Sequence, residues 1–354
     1  VFNTAFEPLV AFSLIAGVAV LGLNLVLAGL IIALRERLKR QEREQKEFKA
    51  IWQPALLGAL SGPAQYLLPP LRLQDQVAFL KLWNYMQESL RGDATVRLNE
   101  IALQLRCDEL ARRLLRDGNP TERLLAMLTL GHLRDSRAWA ALQIVVQAKE
   151  TIASLTAARA MIQIDPIAGA HHLMPSVLNR PDWEIPRLAR MLGEARVTFE
   201  SLLVPRVAAL PSAQKLRGLQ LLEVLRTRLP DAALLGLLNS EKEPTIIAAA
   251  LRLVNTFAVR PAVLSHLAHT DWRVRVRAVH ALTHVAVPSD VPQLAAMLGD
   301  SEWWVRYRAA HALVSLPFLA HESLDGLKRL SDDRLGRLAL DHVFAERGLL
   351  SHSS

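Results

Sequence analysis

A single cysteine, Cys107, in 354 residues excludes an intrachain disulfide and any metal cluster built on several cysteines. That usage fits a reducing compartment. Aromatic residues are also scarce, 5% against a hydrophobic content of 51%. The bias is toward Ala and Leu, which suits helix packed on helix. Catalytic signatures are missing too: there is no G-x-S-x-G, no P-loop, no G-x-G-x-x-G and no cysteine-containing metal motif. Cys107, in "LRCDEL", has no histidine beside it to activate a thiolate and reads as a packed helix residue. Neither a catalytic residue nor a cofactor is expected.

Charge is absent over residues 8–34, "PLVAFSLIAGVAVLGLNLVLAGLIIAL". A run of this length can span a bilayer with some tilt. A signal peptide would carry its positive charge before a shorter apolar core; here Glu7 precedes the run and "RERLKRQEREQKEFK", residues 35–49, follows it. The expectation is one transmembrane anchor over residues 1–34, with the N-terminus outside and the rest in the cytoplasm of a bacterial inner membrane. Arg35, Arg37, Lys39, Arg40 and Arg43 then lie where anionic headgroups can meet them. Residues 35–71 are expected to form a basic juxtamembrane helix and linker. The stretch 50–71 holds Pro54, Gly58, Gly62, Pro63, Pro69 and Pro70, which argue against a second crossing and for a short helix plus loop. It either packs on the following domain or rests at the interface, with Trp52 and Tyr66 as belt residues.

The chain is basic, with a net charge of +8, which admits nucleic acid, an anionic membrane surface or an acidic partner. What fills the remainder is a repeat. "WRVRVRAVHAL" at 272–282 returns as "WWVRYRAAHAL" at 303–313, offset by 31 residues. Alone, the first copy alternates like a strand; its echo makes it a helix. Unit starts fall near 119, 150, 182, 211, 242, 271, 302 and 332. Seven residues into each stands a small residue: Ala126, Ala157, Ala189, Gly218, Ala249, Ala278, Ala309 and Ala339. Four residues later an apolar side chain usually follows on the same helix face, as in Leu130, Met161, Leu222, Leu253, Leu282, Leu313 and Val343; the 182 unit is one out of step, with Leu192. Breakers after the first helix (Asp135, Pro166, Pro230, Pro261, Pro288, Pro317) lead to a second apolar stretch. Stacked helical hairpins, an α-solenoid, follow from this pattern.

The Asp-Trp-x-Val-Arg-x-x-Ala-x-x-Ala-Leu pattern at 271–282 and its echo at 302–313 resemble HEAT repeats of the short bacterial type. The resemblance covers residues 119–345 and implies an all-α, right-handed α-solenoid, preceded here by the transmembrane helix, an irregular helical cap over 72–118, and a disordered tail over 346–354. In that family an arginine at the position of Arg275 and Arg306 bonds backbone or acidic groups between units, so Asp271 and Asp300 are the expected partners. The stretch "FLKLWNYMQESLRG" within the cap resembles membrane-anchored bacterial HEAT proteins associated with glycosyltransferases of exopolysaccharide systems. This resemblance implies a non-enzymatic scaffold whose partner is an integral membrane protein. A HEAT-type lyase or other modifying enzyme, and a regulator that binds anionic lipid, are the alternative readings.

Arg275 and Arg277 point about 200° apart on a helix, so the arginines form no single basic stripe. Arg273, Arg277 and Arg308 are the freer ones, and Trp304, beside the repeating Trp303, is an extra aromatic suited to binding. Trp183, Trp272 and Trp303 recur at one unit position, which points to packing against the preceding unit. Second helices around 293–298 and 324–330 are expected to line a concave face, which makes Gln293 and Lys328 partner-binding candidates. Residues 271–311 hold five arginines against four acids, too little excess for tracking phosphates, and no carboxylate is placed for DNA-glycosylase work; nucleic acid is not an expected partner. His280 and His284 are four apart, but no third ligand is evident and no metal is expected.

Overall fold

The structure, a computed structural model, describes residues 6–61, 68–319, 324–331 and 333–348. Its described residues form helices and no strand. They divide into two compact units that meet between Ala141 and Leu142.

In the first unit, α1 (Phe6–Ser61) is one long helix. It continues through Pro54 to Ser61, and residues 68–72 are not helical. Pro54 is exposed, so the hydrogen bond it forfeits is lost on a wet face, while Trp52 and Leu56 on either side are buried. Phe48 stacks on Trp52, whose ring meets Phe79 edge-on at 4.9 Å. Trp52 is therefore a core residue and no belt residue; Tyr66 lies outside the described residues. The helices α2 (Gln76–Ser89), α3 (Asp93–Gln104), α4 (Cys107–Asp117) and α5 (Pro120–His132) complete this core. Trp83 Nε1 donates to the Leu98 carbonyl at 2.8 Å, and Asn84 Nδ2 donates to Thr129 Oγ1 at 2.8 Å, tying α2 to α3 and α5. Cys107 is fully buried, and desolvation, with Asp108 beside it, pushes its thiol up to about 12. Asp108 accepts from Arg112 (3.0 Å) and Arg137 (2.7 Å), and the same two arginines bond Asp135.

Among the described residues no helix is long and apolar enough to cross a membrane. The uncharged run 8–34 lies within α1, and several of its side chains fall outside the described set. Those described, among them Phe12, Leu21, Leu25 and Ile32, are exposed.

α6 (Trp139–Val146) straddles the division. Beyond it the second unit is a run of helix pairs: α7 (Thr151–Ile164) with α8 (Pro166–Asn179), α9 (Ile185–Met191) with α10 (Arg196–Leu203), α11 (Ser212–Val224) with α12 (Asp231–Ser240), α13 (Pro244–Leu251) with α14 (Arg260–Ser265), α15 (Trp272–Leu282) with α16 (Val291–Ala296), and α17 (Trp303–Ser315) with α18 (Leu324–Lys328). α19 (Arg334–Glu346) follows, and residues 349–354 of the expected tail lie outside the described residues. From α9 onward the first helix of each pair packs on the first helix of the next. Most of these helices begin within two residues of a unit start, where capping side chains stop the preceding turn: Asp271 Oδ1 accepts from Arg273 N, Asp333 Oδ2 from Gly336 N, and Asn119 forms a reciprocal box with Glu122.

The small residue seven positions into the unit is buried in seven of the eight units. In the exception, α9, the buried pair is Leu188 and Leu192, and Ala189 is half-exposed. The short α9 starts at Ile185, so its face is rotated by one position from its neighbours. Gly218 shows how close the approach is: a Cβ there would meet Val207 Cγ2 at 3.2 Å and Leu203 Cδ1 at 3.3 Å.

Candidate functional site

The alternating arginines of α15 separate onto two faces. Arg275 turns inward, where its Nε and Nη2 grip both oxygens of Asp300 at 2.7 Å and its Nη1 donates to the carbonyls of His269 and Thr270. Arg260 grips Asp290, which is fully buried, in the same forked manner. Burial tends to raise the Asp300 carboxyl, but the Arg275 bonds outweigh it and hold the group below the usual carboxylate range; Arg260 does the same for Asp290. Arg306 repeats the inward posture, donating Nη1 to the carbonyls of Asp300 and Ser301. It has no acidic partner within the described residues, and its buried Nε is unsatisfied. Asp271, the other expected acidic partner, caps Arg273 N instead.

The opposite face carries Arg273, Arg277 and His280 at helical spacing on α15, and Trp304, Arg308 and His311 at the matching positions of α17. Arg273 is exposed, lies over Trp272 at 5.3 Å and sits 3.7 Å from Asp271. Arg277 is half-buried and kept below the usual arginine range, chiefly by desolvation and then by the charges of Arg252 and Arg308. His280 is likewise lowered, by desolvation first and then by Arg308, His284 and Arg277. Arg273 and Arg277 also line a cleft of about 410 Å³ between α11, α13 and α15, together with Leu216, Gln220, Ala248, Ala249, Arg252, Asp271, Trp272 and Val276.

Next to the arginines is a feature that periodicity misplaces. Trp303 is 43% exposed rather than packed against the preceding unit, and Trp304 is 55% exposed. The repeat position misleads because Trp183 lies in the turn before α9, where it is fully buried and its Nε1 donates to Ser154 Oγ, whereas Trp272 and Trp303 are the first residues of their helices. Trp303 stacks on Tyr307 with ring centroids 5.1 Å apart and planes at 10°, and meets Trp304 edge-on at 4.6 Å. His342 of α19 packs against Trp303 and Tyr307, and Tyr307 Oη donates to Glu346 at 2.9 Å. Leu335 and Leu338 of α19 are exposed. The sequence signal for this cluster was the tryptophan pair with Tyr307 four residues on, which share a helix face.

The remaining candidates lie apart from that face. Gln293 is exposed on α16, and its amide nitrogen turns back to the carbonyls of Ser289 (3.0 Å) and Asp290 (3.2 Å). Lys328 bridges to Asp341 at 2.6 Å. On α1 the side chains of Arg35, Arg37, Lys39 and Arg43 are exposed, and that of Arg40 lies outside the described residues. His280 and His284 rings are 5.3 Å apart, and among the described residues no group of three metal-ligating side chains occurs. In the first unit a cleft of about 570 Å³ lies between α1 and α2, with Lys49, Gln53, Lys81 and Tyr85 around Phe48 and Leu82.

Residues 260–340 match the family model described as HEAT repeats, a span that includes α15, α17 and both arginine faces. No curated protein matches the chain.

Proposed function

We propose that the chain is a membrane-anchored scaffold that binds an integral membrane protein through the first-helix face of its second unit. HEAT repeats mediate protein–protein interaction in general, and this face has the chemistry for it. The observation that carries the reading is the exposed pair Trp303 and Trp304, braced on half-buried Tyr307 next to Arg308 in the chain. Trp, Tyr and Arg are the residues that dominate binding energy at interfaces. Here the rings already brace one another, so little side-chain freedom remains to be lost on association. The role of α1 in this reading is to hold that face beside its partner, raising the effective concentration so that modest contacts suffice. Arg35, Arg37, Lys39, Arg40 and Arg43 meet anionic headgroups at the end of the span. An accessory subunit of an exopolysaccharide glycosyltransferase is the finer form of the proposal, and it rests on the resemblance of the cap segment alone.

The test is recovery of partners from gently solubilised membranes, read by mass spectrometry, with the wild-type chain and a Trp303→Ala/Trp304→Ala variant. The expected outcome is an integral membrane protein enriched by the wild type and lost with the variant. Partners that ignore the double substitution, or are only soluble nucleic-acid proteins, defeat the reading.

A further inference from the structure

We propose that the cleft between α11, α13 and α15 takes an acidic segment of a protein partner, one carboxylate of which bonds Arg277 in the lining while a second reaches past the cleft to Arg308 on the adjacent α17, and whose apolar side chain seats on Ala248 and Val276. The inference rests on the scaffold reading and adds the chemistry of what one part of that face accepts.

The starting point is which cations are already neutralised. Arg275 is paired with Asp300, Arg260 with Asp290, and Arg252 with Glu223 at 3.1 Å. Arg277 and Arg308 stand at the same position of successive units on neighbouring helices. Among the described residues neither side chain donates a hydrogen bond or forms an ion pair, and both residues are only partly exposed. A guanidinium removed from water and faced by other guanidinium groups is poorly compensated, as the lowered state of Arg277 records. Glu223 offsets this only in part, since it already serves Arg252. An incoming carboxylate relieves both the desolvation and the repulsion, and it matches the planar fork of an arginine.

The shape then selects among anions. The cleft holds about 410 Å³, toward the lower end of the roughly 300–1,000 Å³ of small-ligand pockets. It therefore admits a few side chains of an extended or helical segment and no folded surface. Leu216, Ala248, Ala249 and Val276 supply apolar lining beside Arg252, Arg273 and Arg277, and Arg308 stands outside it on the next first helix, α17. The one acid in the lining, Asp271, is engaged with Arg273. Packed helices stand about 8–10 Å apart, a gap that two long arginine side chains bridge to carboxylates two residues apart on a strand, roughly 6–7 Å. A duplex needs a sustained row of cations, which two unpaired arginines do not supply. A bilayer surface cannot enter a concave, partly apolar cleft.

The full chain, in detergent, is titrated into a short fluorescein-labelled peptide of Glu and Asp around a central Leu, with anisotropy as the readout. The control peptide carries Gln and Asn in place of the acids. The proposal expects saturable binding of the acidic peptide alone, weakened about tenfold by Arg277→Gln and further by adding Arg308→Gln, with a steep loss in salt. Arg277→Lys keeps the charge without the fork and falls between. Both glutamine variants keep or raise the wild-type thermal midpoint, because neither side chain bonds the fold and Arg277 is set against other guanidinium groups. No binding, equal binding of the control peptide, or binding indifferent to both substitutions overturns the proposal. So does Arg277-dependent binding of anionic vesicles or of a single-stranded oligonucleotide in place of the peptide. If the peptide fails while Trp304-dependent capture persists, the cleft chemistry is wrong and the scaffold reading stands; loss of that capture alone removes the scaffold reading.

Discussion

Arg275 and Arg306 hold equivalent carbonyls one unit apart and differ in what lies beyond them. Twenty-five residues after Arg275 stands Asp300, and the same distance after Arg306 stands Ser331, which is buried. One site is a closed ion pair; the other leaves a buried Nε unsatisfied. Removing one partner of a buried pair strands the other charge, so Asp300→Ala should cost about 3 kcal/mol, seen as a lowered thermal midpoint. Ser331→Asp should raise the midpoint, by about 1–2 kcal/mol of stability, by giving Arg306 the missing acceptor; no gain, or a gain that persists when Arg306 is replaced by Met, would sink this account. The sign with pH follows from the depressed Asp300 carboxyl. Its contribution is fully present above the unfolded-state value near 3.8 and is lost as pH falls through the lower folded value, so the cost of Asp300→Ala shrinks in acid. At this scale the sequence disclosed the division of arginines by face, since helical geometry alone separates Arg275 from Arg277. It did not disclose pairing. Five arginines against four acids over 271–311 reads as near neutrality, yet Asp290 and Asp300 are consumed inside the fold, and Arg277 and Arg308 are left over.

The helices were legible because small residues, caps and breakers recur with them. Buried small residues let neighbouring first helices cross closely, and a larger side chain there must overpack the contact. Ala309 is fully buried between α15 and α19, and Ala309→Leu should cost about 1–3 kcal/mol. Ala189→Leu occupies the corresponding position in sequence but is half-exposed in the rotated α9, and should cost less than half as much. Chemical denaturation of the two variants checks the pair, and equal losses would mean that α9 keeps the common register. Gly336 marks a close approach between units: a Cβ there would meet the Leu298 carbonyl oxygen at 2.8 Å, which is backbone and cannot swing aside. Helix persists over 50–61 despite Pro54 because burial of Trp52 and Leu56 in the core outweighs one lost hydrogen bond on the wet side of α1.

For the molecule as a whole, the decisive element is α1, because one helix carries the uncharged run 8–34, the basic stretch that follows it, and the core residues Phe48, Trp52 and Leu56. Continuity has a mechanical consequence: at 1.5 Å per residue, the first core residue stands about 21 Å along the axis from the end of the uncharged run. If that run spans a bilayer, the first unit is held at a set height above the headgroups and is not hung on a slack tether. The exposed Leu21 and Leu25 then face lipid. A charge at the centre of a span costs about 3 kcal/mol on insertion, so Leu21→Arg with Leu25→Arg should move the chain from the membrane pellet to the supernatant after alkaline extraction, with the helical signal of the rest unchanged. Replacing Arg35, Arg37 and Lys39 with Gln should leave the chain in the pellet but weaken its preferred orientation, read by protease access in sealed vesicles. A wild-type chain that alkali extracts completely, or a double-arginine variant that stays in the pellet, removes the anchor. The binding face would then have to find its partner without the effective concentration that anchoring provides.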